Sequence, residues 1–261
     1  MNGNQIKKKW RERKIVIAGW SMIGHPDVAL LLAQSGVDAV VLDWQHGVHI
    51  NEASIVICIE SIFRQPGVAP LVRVPSTDRY QISHVLDAGA CGILVAMVNT
   101  AEEAQQAVNA CRYAPTGGRS LGMMPHQQPR ESIEDYVVRA NQEIICIVMI
   151  ETKQGVENIE EICDVQGLDG IYIGPYDLSL DMGIATDKFI DHPQHLNIVT
   201  KVFKAARQRG IATGHHGFNL GDTIKWIKMG SMFCQLGSDT SFVVSMARSN
   251  LDTLHNLISL D

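Results

Sequence analysis

Short apolar runs alternate with stretches of helical periodicity along almost the whole chain. The runs fall at 15–20, 39–44, 70–74, 92–98, 144–150, 170–174, 211–215 and 232–237. Most are continuously apolar rather than alternating, as parallel strands covered on both faces should be. Between them, the helical stretches 26–34, 78–88 and 196–208 stop before Gly36, Gly89 and Gly210, the usual glycine ending. Asp78 is a candidate N-cap, and Thr100 followed by Glu103 has capping-box spacing at the head of a helix over 100–111. Asn219 or Asp222 opens a further helix that ends before Gly230. Val243, Met246, Leu251, Leu254, Leu257 and Ile258 predict a closing helix over 242–260, suited to packing on a partner subunit. The joints SGVDAVVLDW, AGACGILVAM and VQGLDGIYIGP share one grammar of helix end, tight turn and strand. Eight strands with alternating helices predict an α/β fold of the (β/α)8 TIM-barrel type rather than an open doubly wound sheet. No GxGxxG follows the first strand and there is no Walker lysine loop, which argues against a dinucleotide or nucleoside-triphosphate fold.

Composition fits one such barrel. The 261 residues are 46% hydrophobic and 19% charged, which excludes low-complexity disorder. The expected organisation is a basic N-terminal segment, 1–14, followed by a single barrel domain, 15–261. The basic residues Lys7, Lys8, Lys9, Arg11, Arg13 and Lys14 read as a solvated tail. The apolar run after them is too brief for a secretory signal, and no run reaches the ~18–20 residues that cross a bilayer. A cytoplasmic protein without membrane or nucleic-acid partners is expected, the latter because the net charge is −6. The six cysteines show no CxxC spacing and sit in apolar stretches, so reduced, buried thiols are expected rather than a zinc site. The Pro- and Gly-rich interruption from 113 to 130 reads as a functional or mobile loop.

In a barrel, side chains just past the C-terminal strand ends converge on one mouth. The strand assignment places Trp20, Asp43, His46, Arg73, Glu151, Asp177, the pair His215 and His216, and Asp239 there. Glu151 and Asp177, from neighbouring strands, can share one hard divalent cation and leave positions for water and substrate oxygens; this suits Mg²⁺ or Mn²⁺ better than zinc, with Co²⁺ a third candidate. The bland alternatives are a rim salt bridge for Glu151 and a helix N-cap for Asp177. His46 is a candidate general base, or else a hydrogen-bonded loop histidine. Arg73 brings a fixed cation for an oxyanion or carboxylate, unless Asp43 or Glu151 pairs with it structurally. Trp20 belongs to the pocket wall or the core. His25, His215 and His216 are read as pocket or structural residues. A Schiff-base route would need a lysine in the mouth, and Lys153, at a helix start, is poorly placed.

The ordered set GW, LDWQHG, VRVP followed by LDAGA, AEEA…CRYAPTGGRS, and MIET…GLDGIYIGPYDLS resembles the metal-dependent class II pyruvate aldolases, the 4-hydroxy-2-oxoheptanedioate and 2-dehydro-3-deoxyglucarate aldolase-like family. The match runs from about Gly19 to Asp239. The resemblance implies a barrel of the phosphoenolpyruvate/pyruvate-domain type, assembled as a homo-oligomer (trimer or hexamer) with the last helix swapped between subunits. It implies Glu151 and Asp177 as metal ligands, Arg73 as the enolate-stabilising arginine, and His46 as the base with Asp43 nearby. Asp87 would reach a neighbouring subunit's site and pair with the histidine there. Backbone amides around Gly174, Pro175 and Tyr176 would hold a pyruvyl carboxylate. The sequence departs from the pattern at Met149, Gln45, Ala96 and Tyr176, which bears on the aldehyde half of the substrate.

The expected activity is reversible cleavage of a 4-hydroxy-2-oxo acid to pyruvate and an aldehyde through a metal-stabilised enolate. Alternatives are a related enolate enzyme, of the oxo-acid decarboxylase or acyl-CoA lyase type, and a non-catalytic binding protein.

Overall fold

Eight parallel strands close into a barrel in chain order: β1 (Val16–Ser21), β2 (Ala39–Asp43), β3 (Ala69–Val74), β4 (Gly92–Val95), β5 (Ile145–Ile150), β6 (Gly170–Ile173), β7 (Ala212–His215) and β8 (Phe233–Ser238), with β8 pairing back onto β1. The computed structural model describes residues 3–122 and 132–258, so the predicted 113–130 loop is described only as far as Gly122. Every predicted strand is present. Most ends agree within two residues; β4 stops at Val95 because Met97 turns the chain with a left-handed φ of 59°.

The interior is filled by every second strand residue, as the pleat requires. Val16, Ala18 and Trp20 of β1, Ala39 and Val41 of β2, Ala69 and Leu71 of β3, and Ile145, Ile147 and Met149 of β5 form this inner core with Tyr172 and Phe233. Tyr172 stacks on Trp20 with centroids 5.6 Å apart. Room for the tyrosine ring comes from Gly214 on the next strand, where any Cβ would overlap it. A second, larger core lies between the strands and the surrounding helices.

The helix signals hold where they can be compared. Asp78 caps Arg79–Asp87 by accepting from Gln81 N, and Thr100 and Glu103 form the reciprocal box on Ala101–Cys111. Asn219, not Asp222, caps Leu220–Met229. The six cysteines are free and buried. Among the described residues no helix is long and apolar enough to cross a membrane.

The N-terminal segment corrects the expectation of a solvated tail. Gly3–Arg11 is a helix that lies across the N-terminal end of the barrel. Ile6 and Trp10, four residues apart on one face, enter the inner core; Ile6 is 2% exposed and the Trp10 ring meets Phe233 edge-on at 6.2 Å. Lys7 pairs with Asp169 at 2.8 Å, and Lys9 pairs with Asp38. Basic residues in the last turn also suit the helix dipole. At the other terminus Asp239–Ile258 forms the closing helix, beginning before the predicted 242. Most of it is exposed, with Val243 at 65% and Leu257 at 62%.

Candidate active site

Extending the inward rows by one further step of two residues reaches Asp43, Arg73, Glu151 and Gly174. These groups line one cavity of about 400 Å³ at the C-terminal mouth, together with Trp20, His46, Met149, Pro175, Tyr176 and Asp177. The mouth residues predicted from strands one, two, three, five and six therefore do converge.

Asp43 is fully buried and organises one side. Its carboxylate accepts from Arg73 Nε at 2.9 Å and from Arg73 Nη2, a two-pronged pairing that leaves Arg73 Nη1 for other partners. It also accepts from Trp20 Nε1 at 3.2 Å and from the backbone amides of Gln45 and His46 at 3.2 and 3.1 Å. Those two amide bonds fold the turn that carries His46. The structural pairing considered for Arg73 is thus real, and it orients the guanidinium rather than removing it from the cavity. His46 itself is exposed at the mouth.

Glu151 stands across the cavity, 2% exposed. Its Oε2 accepts from Met97 N at 2.9 Å, a bond made possible by the left-handed turn at that residue. Its Oε1 lies against Gly174, where a Cβ would overlap it. Burial pushes the carboxyl up to about 7; the Met97 amide acts against this, and the neighbouring charge of Asp177 adds to it. Asp177 sits in the first turn of Pro175–Met182, whose N-cap position is Gly174, and its side chain makes no hydrogen bond among the described residues. Neither carboxylate has a salt bridge there. Two facing acids, one held by a single amide and the other unpaired, form a donor set short of a cation. No group of three or more His, Cys, Asp and Glu placed to hold a metal occurs among the described residues, so a cation here would complete its shell with other oxygens.

The backbone amides around Gly174 and Tyr176 differ in what they have free. The amide of Gly174 is spent on Ile150 O at 3.3 Å, and Pro175 has none. The amides left open at this helix start are those of Tyr176 and Asp177, which have no partner within the helix. Tyr176 is 53% exposed and its ring packs on Phe218 at 4.2 Å.

Several residues were not recognised as cavity groups from the sequence. Met22, Gln235, Ser238 and Thr240 line it. Gln235 lies within a strand, and its Oε1 is buried without a partner. His216, which the sequence did place at the mouth, lines it as well, with its ring edge-on to Trp20 and Tyr172 and Nδ1 3.3 Å from the Tyr172 hydroxyl. Burial and the nearby Arg73 charge lower its imidazole to about 3, so it is neutral at pH 7. Alternation along β7 brings it there, two residues beyond Gly214.

Other predicted mouth residues have structural work. Asp239 clamps β8 to β1, accepting from Met22 N and Ile23 N at 2.9 and 3.1 Å. His215 is buried beneath the cavity against Trp226, and His25 caps Pro26–Gln34. Asp87 lies outside this cavity; it accepts from Arg119 Nη2 at 2.7 Å.

Residues 17–245 match the family described as HpcH/HpaI aldolase/citrate lyase. The chain is 32% identical over 247 residues to the 4-hydroxy-2-oxo-heptane-1,7-dioate aldolase of Escherichia coli (strain ATCC 8739), covering 94% of this chain and 93% of that protein. It is 30% identical over 250 residues to the 5-keto-4-deoxy-D-glucarate aldolase of Escherichia coli O6:H1, covering 96% of each. The solved structure of an HpcH/HpaI aldolase/citrate lyase family protein from Burkholderia cenocepacia J2315 superposes with a TM-score of 0.89 at 25% identity, over 97% of this chain and 99% of that one.

Proposed function

The chain belongs to the HpcH/HpaI aldolase/citrate lyase family and is a lyase of the aldolase type, and we propose that it uses a divalent cation, Mg²⁺, Mn²⁺ or Co²⁺, to cleave a 4-hydroxy-2-oxo acid reversibly to pyruvate and an aldehyde. The observation that carries this reading is the buried Glu151 carboxyl facing Asp177 across from the Asp43-oriented guanidinium of Arg73, all in one cavity. Both E. coli relatives bear the names of aldolases for oxo acids, which agrees with it.

Glu151 and Asp177 would hold the cation. When bound, it supplies Lewis-acid polarisation of the 2-oxo group. The remaining work falls to the chain. The open amides of Tyr176 and Asp177 hold the substrate carboxylate at the helix start. His46, exposed at the mouth on a turn fixed by Asp43, takes the proton of the C4 hydroxyl. The C3–C4 bond then breaks, and its electron pair moves onto the pyruvyl half as an enolate. The fixed charge of Arg73 stabilises that developing anion at no cost in reorganisation. Trp20, Tyr172 and Met149 exclude water from the floor. Asp87 is supplied to the His46 of a neighbouring subunit, a role supported by its position outside its own cavity. We further assign the exposed apolar closing helix to exchange between subunits of a cytoplasmic homo-oligomer, a trimer or hexamer.

The test is deuterium exchange from solvent into the methyl group of pyruvate, followed by proton NMR with each cation and with chelator. Exchange that requires the cation is the expected result. No exchange with any of the three cations overturns the enolate mechanism.

A further inference from the structure

We propose that the cavity at the N-terminal end of the barrel is a binding site for a small polyanion bearing phosphate or carboxylate groups. This space, about 690 Å³, lies between the helix Gly3–Arg11 and the starts of β7 and β8, at the end opposite Glu151. It is larger than the 400 Å³ catalytic cavity and falls in the range of small-molecule sites.

Its lining concentrates positive charge on a chain whose net charge is −6: Lys7, Arg11, Arg13 and Arg207 face it, with Asp169 as the one carboxylate among the described lining residues. That carboxylate is already matched. It pairs with Lys7 at 2.8 Å and with Arg112 at 3.0 Å, and it accepts from Cys146 N at 2.9 Å. Among the described residues Arg11, Arg13 and Arg207 form no salt bridge. Arg207 does donate to Met229 O, at 3.4 Å. These three guanidinium groups are exposed on the rim of the hollow, and their planar forks match phosphate and carboxylate oxygens.

The backbone adds an independent observation. Lys14 N donates to Lys9 O and Arg13 N to Trp10 O, so the helix ends in a Schellman motif with Arg13 at the left-handed position, φ 56°. Glycine is the low-cost residue there. The sequence instead holds an arginine there, in a left-handed conformation that costs a non-glycine residue some strain, and its side chain lines the cavity. Because Lys7, Arg11 and Arg13 come from the N-terminal segment and Arg207 from the barrel's outer helices, a bound anion ties the two together.

The experiment is calorimetric titration of the full-length protein with pyrophosphate and, separately, with tricarballylate, each against sodium chloride at the same ionic strength. Saturable binding of one anion per chain is expected, and the tighter probe identifies the ligand as phosphate or polycarboxylate. Arg13→Gly, which suits the left-handed backbone, combined with Arg207→Ser should weaken binding about tenfold or more. Pyruvate exchange and the thermal midpoint of that variant should stay at wild-type values. Heats no larger than those of salt overturn the proposal. So does binding that the double variant leaves unchanged, or binding abolished by Arg73→Gln, which would place the anion at the other end. A change of oligomeric state in the double variant without loss of anion binding would instead assign the arginines to a subunit contact.

Discussion

The backbone of Gly174 and the carboxylate of Glu151 pack so closely that a methyl group on the glycine would overlap Glu151 Oε1. The side chain is thereby wedged between β6 and the Met97 amide. Gly174→Ala should therefore displace the carboxylate while leaving its charge in the protein. We expect metal affinity, measured by Mn²⁺ titration, to fall about tenfold or more, roughly the loss of one well-placed charged contact. Wild-type affinity in this variant would remove Glu151 from the ligand set.

Asp43 and Arg73 form a buried pair, 0% and 8% exposed. Asp43→Asn keeps the shape but leaves the guanidinium without its counter-charge. Breaking such a pair costs about 3–5 kcal/mol. Urea unfolding should show a loss of that order, and kcat should fall because Arg73 is no longer aimed. A stable variant with normal turnover would show that Asp43 orients nothing.

His46 is exposed, so its removal should barely affect folding. For His46→Ala we expect stability within about 0.5 kcal/mol of wild type, metal binding retained, and kcat for aldol cleavage lowered by about 10²–10⁴. Loss of metal in place of loss of rate would reassign the residue as a ligand.

Beneath the cavity, His195 and His215 share a proton between Nε2 atoms 2.9 Å apart. His215 Nδ1 lies 2.6 Å from the carbonyl of His216, which can only accept. His215 therefore donates through Nδ1, His195 donates through Nε2, and His195 Nδ1 is left as a buried acceptor without a partner. Burial lowers His195 from 6.5 to about 4, so between these values the unfolded chain binds the extra proton and the folded one does not. Stability is then fully retained above pH 6.5 and declines as pH falls toward 4, by an amount on the order of 3 kcal/mol. Thermal midpoints recorded from pH 7 to pH 4 should show an acid limb to which the buried His215 and His216 also contribute, and His195→Gln should make it shallower. An equally steep limb in the variant would place the titration elsewhere.

The sites differ in how much of them could be read before the fold was seen. Glu151 and Arg73 were legible because each sits at the end of an apolar run, and barrel geometry sends every such end to one mouth. Asp78, Thr100 and Glu103 were legible because a helix cap is built within four residues. Met97 gave no signal: its part is played by a backbone amide, and its left-handed turn follows from packing. Gln235 was hidden inside a strand. Ile6 and Trp10 were masked by the lysines between them, which made an amphipathic helix read as a charged tail.

By itself the sequence determined eight strands, most of the helices that follow them, and the residue types delivered to the mouth. Propensity, capping and alternation act over a few neighbouring residues and survive without knowledge of the rest. Only the closed barrel decided that Asp43 grips Arg73, that Met97 holds Glu151, and that Gly174 leaves the space this requires. Those contacts join residues 23 to 54 positions apart, and their geometry follows from strand register. The raised Glu151 carboxyl and the neutral His216 follow from burial, which exists only once the chain is folded.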